Sequence, residues 1–196
     1  MSGEANEIPL FPLHTVLFPG GPLTLRLFEP RYLDMVSRCL RDDSGFGVAL
    51  IRQGGEVGEA AETHNIGMLV RITYWERRPD KLLGITVRGE RRFRILSTRV
   101  MPDQLVMAEV SWLPAAESAP VPSRFAPLAE LLHGIIDQLD HPYITLPRHF
   151  DDAAWVAGRL AEILPLALSR KQRLLESDDS YWRLSEIQNA IASGAS

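Results

Sequence analysis

The chain has 196 residues, long enough to enclose a hydrophobic core without a disulfide scaffold. Its 25 acidic and 21 basic residues leave a net charge of -4, which argues against general affinity for nucleic acid or anionic lipid. The single cysteine, Cys39, excludes an intrachain disulfide, no apolar run is long enough to span a membrane, and the acidic start MSGEANE is unlike a signal peptide. A soluble, cytoplasmic protein is expected.

The first half reads as sheet. Short strands are expected at Ile8 to Phe11, Leu23 to Phe28 and Phe46 to Arg52. One helix interrupts them, with Pro30 at its first position and Leu33, Val36 and Leu40 on a stripe beside Tyr32, Met35 and Cys39. Gln53 to His64 lacks any apolar period and reads as a surface loop. Period-two alternation then places Met68, Val70, Ile72 and Tyr74 on one strand face, and Leu69, Arg71, Thr73 and Trp75 on the other. In the next strand Leu83, Ile85 and Val87 alternate with Gly84, Thr86 and Arg88. Gly89 marks a bulge or bend, after which Phe93 and Ile95 face away from Arg92 and Arg94. Val106, Ala108, Val110 and Trp112 define one more strand.

From residue 114 to 127 prolines and small residues read as a linker, separating a β domain at 1–113 from a helical bundle at 128–196. Leu128, Leu131, Leu132, Ile135, Ile136 and Leu139 form one helical stripe that must end near Pro142. Asp151 or Asp152 caps a second helix carrying Val156, Leu160, Ile163 and Leu164, stopped by Pro165. A third spans about Leu168 to Glu176. Asp178 or Asp179 caps a fourth, with Tyr181, Leu184, Ile187, Gln188 and Ile191 on one face.

The run from Ile8 to Val36, IPLFPLHTVLFPGGPLTLRLFEPRYLDMV, closely resembles the opening of the Lon protease amino-terminal domain family, especially its short, freestanding bacterial members. Further blocks agree in order: Phe46-Gly47-Val48, Asn65-Ile66-Gly67, Gly84 to Phe93, and the tail around Leu164-Pro165-Leu166 and Lys171-Gln172. The resemblance implies an α+β fold, a PUA-like β-rich pseudo-barrel with one inserted helix followed by a small helical bundle. It also implies recognition of unfolded polypeptide or a protein partner.

No catalytic machinery is expected. The lysines are Lys81 and Lys171 alone, followed by Leu82 and Gln172, so neither sits in a glycine-rich phosphate loop, and the resemblance maps neither to a serine-lysine protease module. No cofactor is expected. His133, Asp137 and His141 fall at intervals of four, a spacing suited to a divalent metal, although a helix end beside an apolar stripe explains it better. Cys39 lies beside the apolar stripe of its helix, has no second cysteine to resolve an oxidised form, and reads as core.

Three residues are candidates for binding. Trp75 follows an apolar strand, faces away from its core set and leads into the charged hairpin from Glu76 to Lys81. Arg88 and Arg92, with Arg94, share one strand face, an arrangement that PUA-like RNA binders would use. Glu90 among them favours an ion-pair ladder instead. A small-molecule binder or an unrecognised enzyme using a cleft between the two parts is the competing reading.

Overall fold

The computed structural model describes residues 6–80 and 82–194. The acidic start up to Ala5, and Lys81 of the charged hairpin, lie outside the described residues. The chain divides into two compact units, Met1–Pro114 and Ala115–Ser196.

The strands of the described residues lie in the first unit: β1 (Asn6–Leu13), β2 (Pro22–Leu27), β3 (Phe46–Gln53), β4 (Glu62–Thr63), β5 (Ile66–Arg77), β6 (Leu83–Val100) and β7 (Val106–Trp112). Their order is β1-β7-β6-β5-β3, and a parallel pairing of β1 with β3 closes these five into a ring. Strand β2 pairs with β6 outside that ring, and the two-residue β4 pairs with β3. Ile8, Leu10, Phe93, Val106, Ala108 and Val110 pack as one buried cluster. Two glycines make room for its centre: a Cβ on Gly47 or Gly67 would stand 2.7 or 2.6 Å from the Phe93 ring. Helix α1 (Pro30–Arg41) starts at a proline, whose missing N–H costs nothing there, and stacks Tyr32 on Phe11 with ring centroids 4.0 Å apart.

Bulges revise the simple alternation. Ile72 lies opposite Val87, but Tyr74 lies opposite Thr86 and Trp75 opposite Ile85, so Thr73 is an extra residue. Trp75 therefore shares the face of Ile85 and Val87, and Tyr74 takes the opposite one. This reverses the expected assignment of the pair. Leu69 similarly lies opposite Arg91 and Val70 opposite Gly89, which makes Glu90 the extra residue. The bend foreseen at Gly89 is this bulge.

In the second unit the proline-rich stretch is built in from Ala119 onward. Pro120 bridges to Asp152, the Ala153 N–H donates to the Ala119 carbonyl and the Val121 N–H to that of Asp151. A 3-10 turn at Ser123–Phe125 leads into α2 (Ala126–Ile136), so the expected linker ends earlier than residue 127. Helices α3 (Ala153–Ile163), α4 (Leu168–Glu176) and α5 (Ser180–Ser193) follow. Asp152 and Asp179 cap α3 and α5, each carboxylate accepting two backbone N–H bonds. Among the apolar side chains of this unit lies a buried ion pair, Arg159 Nε to Glu162 Oε2 at 2.9 Å. Lys171 Nζ donates to the Glu162 carbonyl at 2.8 Å, and burial pulls the Lys171 amine below its ordinary value.

Candidate functional site

A groove of about 170 Å³ opens on the sheet unit where β1, β2 and the start of α1 meet. Phe11 and Leu13 come from β1, Thr24 to Leu27 from β2, and Phe28, Glu29 and Tyr32 from the entry to α1. Glu56 and Val57 reach it from the loop after β3. That loop is tied across by the His14 N–H, which donates to Glu56 Oε1 at 2.6 Å.

The floor is apolar and the rim is charged. Leu27 and Tyr32 are buried, whereas Phe28 is 55% and Val57 61% exposed, an unusual display for large apolar side chains set beside one cavity. Arg31 fixes the α1 entry: it pairs with Glu29 at 2.9 Å, donates to the Gln104 carbonyl at 2.8 Å and lies over the Tyr32 ring. The Tyr32 hydroxyl is pushed up to about 12, first by burial, with the Glu29 and Glu56 carboxylates adding to the rise against the Arg31 charge. A hydroxyl so disposed stays protonated at neutral pH.

Of the residues expected to bind, Trp75 is 57% exposed beside Tyr74 at 53%. Arg88 and Arg92 do not form one patch. The extra residue Glu90 puts Arg92 opposite Met68 and Arg94 opposite Ile66, while Arg88 lies opposite Arg71 on the other face. Arg92 is 3% exposed and donates to the Pro114 carbonyl at 3.1 Å, a buried role in the sheet unit rather than a surface one. Glu90 instead meets Arg71, whose Nε lies 3.1 Å from Glu90 Oε2.

The histidine line is broken by the end of α2 at Ile136. Asp137 is held by His133 at 3.1 Å and by Arg148 at 2.8 Å, and no metal-holding group of three side chains occurs among the described residues. Cys39 is buried and its thiol is pushed up by burial, away from the reactive thiolate. Phe28, Tyr32 and Val57 were not singled out by sequence reasoning as site residues. The one local signal was Phe28, a large apolar residue directly before a helix start.

A family model described as the ATP-dependent protease La (LON) substrate-binding domain matches residues 7–193. The chain belongs to the Lon substrate-binding domain family. A crystal structure of a Lon N-terminal domain protein from Xanthomonas campestris is 38% identical, with 94% of this chain and 98% of that one covered and a TM-score of 0.79. The N-terminal domain of the Lon protease of the Mycobacterium avium complex shares the fold, with a TM-score of 0.65 at 18% identity over 94% and 97% of the two chains. Among curated relatives, the Lon protease of Syntrophus aciditrophicus is 23% identical over 191 residues, 92% of this chain and 24% of that protein. The chain thus spans about a quarter of the length of the Lon proteases it matches. No described helix is long and apolar enough to cross a membrane.

Proposed function

We propose that this member of the Lon substrate-binding family is a noncatalytic polypeptide-binding module, and that its sheet unit takes unfolded segments at the groove edged by Phe28 and Val57. The observation that carries the reading is the pairing of a substrate-binding family match with two large apolar side chains left exposed beside a cavity. Exposed apolar side chains of an unfolded chain gain by burial there, at roughly 25 cal/mol per Å². Folded proteins hide those side chains.

The closed ring of β1, β7, β6, β5 and β3, with α1 inserted, supports reading the sheet unit as a PUA-like pseudo-barrel. A lone, buried Cys39 suits the reducing cytoplasm. A small-molecule ligand fits the groove less well, because its 170 Å³ falls short of the roughly 300–1,000 Å³ of such pockets. It has room for individual side chains.

Fluorescence anisotropy with one labelled protein in two states tests the reading. The reduced, carboxymethylated, unfolded form should bind saturably, and the native form should not. Equal binding of both forms, or of neither, refutes it.

A further inference from the structure

We infer that the groove takes its polypeptide as an added β-strand along the open edge of β2, in an extended segment with bulky apolar side chains at alternate positions. This rests on the polypeptide-binding reading above and specifies how the segment is held.

The pairing pattern leaves room for a strand here. Strand β2 pairs with β6 and, among the described residues, with no other strand. At Phe11 to Leu13, β1 has passed the end of its β7 pairing at Leu10 and keeps only β3. Both stretches line the same groove. Four consecutive residues of β2, Thr24 to Leu27, contribute to the lining. Successive side chains of a strand point to opposite faces, so consecutive lining residues mean that the groove runs along the strand's edge rather than over one face. An edge presents unpaired N–H and C=O groups, and an extended backbone is the partner that satisfies them in sequence.

The edge is also poorly guarded. Beyond its first residue, Pro22, β2 holds no proline or glycine and a single charge, Arg26, whereas protected edges carry several charges, prolines or bulges along their length. The other outlying strand, β4, has two residues and offers almost no template. Side-chain chemistry sets the preference. Apolar side chains of the incoming strand meet Leu25, Leu27, Phe28 and Val57, while the rim charges balance, Glu29 and Glu56 against Arg26 and the Arg31 that pairs with Glu29.

The test uses a fluorescent peptide of about seven residues, the length of a typical strand, alternating lysine with leucine or phenylalanine. It is made unmodified and with backbone N-methyl groups on either the odd or the even amides. Alternate N–H groups of a strand point to opposite edges, so one methylated series should lose at least about tenfold in affinity while the other stays near the parent. In parallel, hydrogen exchange should slow at β2 amides on binding. Equal loss in both series, or in neither, means side chains alone hold the peptide and overturns strand addition. If unfolded protein binds but the peptides do not, strand addition fails and the polypeptide-binding reading stands. If neither binds, both fail. Should sedimentation show a dimer that Leu25→Pro abolishes, the edge belongs to a second copy of this chain and the inference is overturned.

Discussion

Alanine at Gly67 and at Gly134 should move stability in opposite directions, although the chemical change is the same. A Cβ on Gly67 would stand 2.6 Å from Phe93 Cζ and 2.6 Å from the Val48 carbonyl oxygen. Phe93 is fully buried among Ile8, Leu10, Ala108 and Val110, and Val48 is paired with Met68, so neither neighbour swings clear. Overpacking of this kind costs about 1–3 kcal/mol, and the smaller unfolded-state entropy of alanine returns about 0.4–1 kcal/mol, leaving a net loss of roughly 1–2 kcal/mol. With a urea slope of about 1–3 kcal/mol/M, the midpoint of the sheet unit should fall by on the order of 1 M. At Gly134, inside α2 and exposed, nothing lies within 4 Å of the added carbon. Alanine there should stabilise the helix by about 0.5–1 kcal/mol. Urea unfolding followed by far-UV circular dichroism reads both. A Gly67→Ala variant as stable as the parent would refute the account of how Phe93 packs.

Glu162→Leu removes the carboxylate 2.9 Å from the buried Arg159 guanidinium and should destabilise the helical unit by about 3–5 kcal/mol. Adding Arg159→Met should recover most of that loss; an unchanged melting temperature in the single variant contradicts the pairing. Alkaline stability follows from Tyr32 and Tyr143, whose hydroxyls burial pushes up to about 12 from an ordinary value of 10. Each folded pKa lies above the unfolded one, so the native state holds more protons between these values, and stability present below pH 10 is lost as the pH rises toward about 12. Absorbance titration should show a tyrosinate component with a midpoint near 12 that shrinks in Tyr32→Phe and in Tyr143→Phe. If each substitution leaves that component intact, the assignment is wrong.

Much of the architecture is local and therefore readable in the chain. Pro30 starts α1, Asp152 and Asp179 cap their helices, and α4 runs from Leu168 to Glu176, the span expected of it. Gly89 signals the bend in β6 because no side chain fits against the Phe18 carbonyl there. What escaped depends on partners distant in sequence. The exchange of faces between Tyr74 and Trp75 follows from pairing with β6, since a bulge is defined by two strands and a period is read from one. The same reason separates Arg88 from Arg92. The groove is less legible still: its walls join residues from Phe11 to Val57, and its open edge exists because β2 pairs with a segment some sixty residues away and with nothing else described. Proline content misplaced the linker's end because Ala119 and Val121 find their backbone partners in the turn before α3.

Site-specific photo-crosslinking tests the central claim most directly. A photoreactive phenylalanine analogue placed at position 28, beside the groove, and separately at the exposed position 131 of α2, is irradiated with unfolded, carboxymethylated protein. Position 28 should capture the unfolded chain, with capture suppressed by excess unlabelled unfolded protein and by Val57→Asp, and position 131 should not. Capture at 131 and none at 28 would contradict the assignment of polypeptide binding to this groove.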